Sequence, residues 1–167
     1  MATPNWLNEH EQRAWRAYRN LHTHLDARLR ADMMRDSGLS DADYAVLVSL
    51  SEAPDFRLRS RELASELEWE KSRLSHQIGR MEKRGLVERA ECPTDARGAF
   101  VVLTDAGRQA VDEAAPQHVD AVRRYMIDVL SRAQLEAIIE ISDIVLARLD
   151  DDPTGSTGNA KELSGGG

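Results

Sequence analysis

Apolar residues recur every three or four positions through the start of the chain, at Leu7, Ala14 and Trp15, Tyr18, Leu21, Leu25 and Leu29, with no Gly or Pro between them. That spacing predicts one long amphipathic helix from Asn5 to about Met34, with Gly38 ending it or lying in the turn that follows. In "SDADYAVLVSLSEAP", Ser40 is a helix cap with Asp43 three residues on, and the helix stops before Pro54. "SRELASELE" reads as a short helix capped by Ser60. After a tight turn, Glu70 to about Arg84 is another helix, closed by Gly85. The period then changes. "LVERAE" and "AFVVLT" are short runs on either side of the turn cluster "CPTDARG", which predicts a hairpin. Thr104 caps a helix from Asp105 to about Leu130, in which Pro116 predicts a kink. Ser131 and Gln134 form a capping box for a last helix ending near Leu149. Its apolar set, including Leu135, Ile138, Ile139, Val145 and Leu146, is broad enough to bury two sides.

Helix, tight turn, helix and hairpin in succession are the winged helix-turn-helix arrangement. The predicted fold class is mainly α with a small β-hairpin wing, flanked by long N- and C-terminal dimerisation helices. Residues 1–37 are expected to form the N-terminal dimerisation helix, 38–104 the winged helix-turn-helix lobe, and 105–150 the C-terminal dimerisation helices. Residues 151–167 hold five of the ten glycines and read as a disordered tail. The outer helices have no partner within one chain, so the expected partner is a second copy.

The chain is acidic overall, with a formal net charge of −7. Distribution matters more than the sum: from Asp55 to Arg97 there are ten Lys/Arg against nine Asp/Glu, so the excess acid lies elsewhere. On a helical wheel, Ile78 and Met81 fall within about 40° of Leu74 and define the buried stripe of the fourth helix. Opposite lie Ser72, His76, Gly79 and Lys83, flanked by Arg73, Ser75 and Arg80, with Lys71 at the start. Small polar side chains let a helix approach a major groove closely, while Arg, His and Ser supply donors for base edges and phosphates. The same face would also serve as an ordinary solvated surface. In the turn, Asp95 and Arg97 are placed for a carboxylate to hold a guanidinium extended into a narrow minor groove, or to form a weak surface ion pair. Arg57, Arg59, Ser60 and Arg61 gather at the start of the preceding helix, whose free N–H groups are able to hold a phosphate.

Other chemistries find little support. There is no G-x-x-x-x-G-K, H-E-x-x-H or G-x-S-x-G pattern, and no catalytic residue, cofactor or metal is expected. His22 and His24 are about 200° apart on a helix and do not chelate together. The single cysteine, Cys92, excludes an internal disulfide and points to the cytoplasm; it reads as inert. No apolar run approaches the ~20 residues of a membrane span, so no membrane partner is expected.

The series "LASELEWEKSRLSHQIGRMEKRGLVERAECPTDARGAFVVLTDAGR" resembles the signature region of the MarR family of bacterial transcriptional regulators. The wing D-x-R-x-x-x-V-x-L-T stands here as Asp95, Arg97, Val101, Leu103 and Thr104, and "RMEKRGLVER" is similar to the family's stretch joining recognition helix to wing. The resemblance covers roughly Leu7 to Leu149. It implies a homodimer on an inverted repeat of double-stranded DNA, with the Glu70–Arg84 helix in the major groove and Arg97 in the minor groove. It also implies a pocket for a small-molecule effector between the dimer helices and the DNA-binding lobe. Trp15, Tyr18, Arg19, His22 and Tyr44 lie on the segments that would line it, with Arg19 or Arg28 able to meet an anion. One position departs from the pattern: Glu70 stands where a small cap is common, and its carboxylate repels phosphate, so it is left out of the contact set. The expected function is a repressor relieved by a ligand. The rival reading is a winged-helix protein-interaction module without DNA binding, supported by the acidic net charge.

Overall fold

The computed structural model describes residues 4–91 and 99–151. The expected tail from residue 152 onward, the wing tip with Asp95 and Arg97, and Cys92 lie outside the described residues. Elements follow in the order α1 (Glu9–Ser37), α2 (Asp41–Glu52), a short 3-10 turn (Pro54–Phe56), β1 (Arg57–Arg59), α3 (Ser60–Glu66), α4 (Lys71–Lys83), β2 (Val87–Glu91), β3 (Ala99–Leu103), α5 (Asp105–Val122), a π-helical stretch (Arg123–Ile127) and α6 (Arg132–Asp150). The fold is thus mainly helical with a small antiparallel sheet. Two compact units divide the chain, Met1–Tyr125 and Met126–Gly167.

Local chemistry sets most boundaries. Asn8 and Glu11 form a reciprocal capping box, so α1 begins at Glu9 rather than at Asn5. Gly38 ends it in the left-handed conformation (φ 67°), which costs a residue without Cβ little. Ser40 and Asp43 form the same box at α2, and Ser131 and Gln134 at α6. Pro116 sits inside α5, and the regular helix gives way at Arg123, seven residues later.

One expectation is extended and one changes. The two predicted wing strands, β2 and β3, pair antiparallel, and β1 joins them as a third strand in the order β1-β3-β2, with Leu58 opposite Val101 and Arg89 opposite Val101 on the other side. A three-residue strand such as β1 is too short to show a period, and only its pairing with β3 reveals it. Ser60 does not cap α3. The cap is Arg59, whose N–H donates to the Glu62 carboxylate (3.2 Å), while the Ser60 hydroxyl donates across to the Ala99 carbonyl (3.0 Å).

The core of the first unit is built from Val46, Leu47 and Leu50 of α2, Leu63 of α3, Leu74, Ile78 and Met81 of α4, and Val87, Val101 and Leu103 of the sheet. Thr104 closes it. Its hydroxyl donates to the Gly85 carbonyl (2.6 Å) and accepts from the Gly107 N–H (3.0 Å), locking the start of α5 to the loop after α4. A Cβ at Gly107 would overlap the Leu86 carbonyl, so this close approach requires glycine.

Candidate nucleic-acid interface

The turn from α3 to α4 is closed by the Trp69 N–H bonding the Ala64 carbonyl (2.8 Å), with Glu68 in a left-handed conformation (φ 52°). From there α4 buries Leu74, Ile78 and Met81, each no more than 3% exposed, as the wheel predicts. The opposite side is open: Lys71, Ser72, Arg73, Ser75, His76, Arg80 and Lys83 are all exposed. Among the described residues, and apart from the backbone of α4 itself, nothing lies within 4 Å of where a Cβ on Gly79 would stand.

Two of its cations are held rather than loose. The Arg73 guanidinium lies 4.2 Å from the Trp69 ring centroid, one helical turn back, a separation at which the ring quadrupole attracts it. Arg80 donates to the Gln77 side-chain oxygen. Gln77 is itself buried, and its amide donates to Asp43 Oδ1 (2.7 Å). Asp43, from the first turn of α2, is a hub: Oδ2 also accepts from the Ser40 N–H (2.9 Å), the Ser40 hydroxyl (2.7 Å) and Arg84 Nη1 (2.7 Å). Burial pushes its carboxyl up, but the bonds from Ser40 and the Arg84 guanidinium outweigh burial and hold it below the usual range. The buried carboxylate therefore fastens both the middle and the end of α4 to α2.

On the wing side, Arg89 of β2 donates to the Ser75 carbonyl (3.3 Å) and pairs with Glu82 (3.4 Å), tying strand to helix. Arg57 and Arg59 both lie over the Phe100 ring, at 5.3 and 5.5 Å, on the sheet face away from Val101. The Arg59 N–H, at the N-cap of α3, is taken by the Glu62 carboxylate. The partly buried Ser60 has its hydroxyl proton committed to Ala99.

The sequence reading overlooked Trp69, Gln77, Asp43 and Arg89 as parts of this site. Gln77 alone carried a visible signal. It falls about 60° from Leu74 on the wheel, inside the arc of buried residues, where a polar side chain needs a partner.

The residues considered for a ligand fall in separate groups within one chain. Trp15, Tyr18 and His22 stack along α1, with ring centroids 5.8 and 6.2 Å apart, and all three are exposed, as is Arg19. Tyr44 instead packs on His118 of α5 at 4.9 Å. Arg28 donates to the Tyr125 hydroxyl (3.0 Å), which donates to the buried Asp32 (2.7 Å).

The chain matches the MarR family model over residues 37–98. It is similar to Sco3205, a MarR family transcriptional regulator from Streptomyces coelicolor solved in complex with DNA, with 41% identity, 93% of this chain and 97% of that one covered, and a TM-score of 0.85. This chain belongs to the MarR family. A second MarR family regulator from Streptomyces coelicolor, AbsC, is similar at 39% identity over 89% of this chain and all of its own, with a TM-score of 0.84. The transcriptional repressor MprA of Escherichia coli K12 is 24% identical over 76% of this chain and 73% of its own length. As a MarR-family protein the chain is a DNA-binding transcriptional regulator rather than an enzyme. Among the described residues, no helix is long and apolar enough to cross a membrane.

Proposed function

We propose that this MarR-family protein is a homodimeric repressor that recognises an inverted-repeat operator through α4 and the wing and leaves it on binding a small ligand. The observation that carries the reading is the exposed face of α4, where Ser72, Arg73, Ser75, His76, Arg80 and Lys83 stand opposite a fully buried apolar stripe. Ser72, Arg73, Ser75 and His76, nearer the N-terminus, read base edges; Arg80 and Lys83 lie further along and meet phosphates. Lys71 adds a cation at the start of the helix, and the minor groove is assigned to Arg97 of the wing. Glu70, the N-cap, makes no DNA contact.

Dimerisation is supported by the apolar surface that each unit leaves uncovered. Trp6, Leu7 and Leu21 are 47–81% exposed, and Ile139, Ile141, Ile144, Val145, Leu146 and Leu149 of α6 are 52–64% exposed. Relief by a ligand is supported by the exposed Trp15–Tyr18–His22 stack, a surface for a planar molecule, with Arg19 beside it to meet an anionic group.

Selection from a random duplex library tests the reading. Wild type should enrich an inverted repeat with half-site centres about 10 bp apart. Arg73→Ala and His76→Ala should enrich a different sequence. Lys83→Ala should keep the sequence, bind more weakly, and shallow the salt slope by about one charge. Recovery of the wild-type motif by the Arg73 and His76 variants would show that this face does not read bases.

A further inference from the structure

Asp43, Gln77 and Arg80 form a line from the α2 cap, through the core, to the exposed edge of α4. Asp43 and Gln77 are 4% and 2% exposed, and Arg80 is exposed. An ionised carboxylate only accepts, so the Gln77 amide must turn its NH2 toward Asp43. That leaves its oxygen facing the other way, where Arg80 donates to it. The rotation of one buried amide thus decides which atom the surface arginine meets. With the amide reversed, two NH2 hydrogens would face a guanidinium, which has no acceptor.

We infer that Gln77 is a positioning residue for DNA binding, its buried amide oriented by Asp43 so that Arg80 is presented to the phosphate backbone in one set pose. The inference rests on the reading of the exposed α4 face as the DNA interface. Arginine carries a large rotamer entropy, and ordering it before binding removes part of the cost that association would otherwise bear. Gln77 itself touches no DNA, since it is covered by the chain.

The experiment is a double-mutant cycle on the full chain, using the duplex enriched by wild type and reading affinity at fixed salt. Gln77→Met keeps length and volume but supplies no amide. It should weaken binding about three- to tenfold, the cost of immobilising one long side chain on association. Arg80→Ala should weaken it by at least as much, and the double variant should match Arg80→Ala, because Gln77 has nothing left to position. If the two losses multiply in the double variant, Gln77 acts through the fold and the inference falls while the interface stands. If Arg80→Ala binds as wild type does, the assignment of Arg80 to the interface fails, and the inference with it. A measurement on wild type alone keeps the test open should Gln77→Met fail to fold. The order parameter of the Arg80 Nε–H vector in DNA-free protein should approach that of rigid backbone, about 0.85. A value below about 0.6, typical of a flexible group, would overturn the inference.

Discussion

Two amphipathic helices of this chain, α4 and α6, meet opposite fates. In α4, Leu74, Ile78 and Met81 are buried against α2, α3 and the sheet, and the polar side is left open. In α6 none of the residues is buried, although six aliphatic side chains from Ile139 to Leu149 are each more than half exposed. Both have a clear pattern, and α6 has the better cap, a reciprocal Ser131–Gln134 box against a Glu70 cap that makes no side-chain bond. Pattern and capping make a helix but do not say what covers it. For α4 the same chain does so. For α6 the proposed dimer assigns that role to a second chain.

The largest expected effect separates the two by deletion. Removing residues 131–149 should leave insoluble or unfolded protein, because the proposed dimer would lose the exposed apolar side chains of α6; light scattering on full-length protein should in turn show a dimer at micromolar concentration. A folded, stable monomer in either case would break the contrast. Next comes a pair of point changes. Leu47→Ala, in the core of the first unit, should cost about 2–5 kcal/mol at any protein concentration. Ile144→Ser should instead lower the melting temperature in a concentration-dependent way, as expected when association supplies stability. Equal, concentration-independent losses would mean that α6 is covered within its own chain.

A smaller effect probes the open face of α4. Trp69→Leu should weaken DNA binding by about 0.5–2 kcal/mol through loss of the ring beneath Arg73, and Trp69→Tyr should restore part of it. No difference between Leu and Tyr at this position would show that the stacking does not matter to binding. The smallest concerns acid. The Asp43 carboxyl is depressed in the folded state, so its stabilisation is fully present above its unfolded value, near pH 3.9, and is lost as pH falls through the folded one. Asp43→Asn should therefore be less stable than wild type at neutral pH, and the gap should narrow as a stability-versus-pH curve is followed below pH 4. A gap that stays constant would mean the carboxylate charge contributes nothing.

What could be read without coordinates was whatever repeats or caps locally. The helices, the Ser40–Asp43 and Ser131–Gln134 boxes, the Thr104 cap and the buried stripe of α4 all follow from spacing and side-chain chemistry within a few residues. The open cationic face of α4 follows too, as the complement of that stripe. Three things did not follow. Strand β1 is three residues long and exists only because β3 offers it partners. Ser60 looks like a cap, yet its hydroxyl is drawn 39 positions along the chain to Ala99, leaving Glu62 to serve the helix end. Asp43 is visible as a capping residue, but its bonds to Gln77 and Arg84 span 34 and 41 positions. A capping carboxylate has two oxygens and several lone pairs, and the local turn uses only some of them. Sequence determines the local bonds, because they depend on spacing of three or four residues. Which distant donors take up the remaining lone pairs is decided only when the helices pack, since burial makes an unpaired polar group too costly to leave.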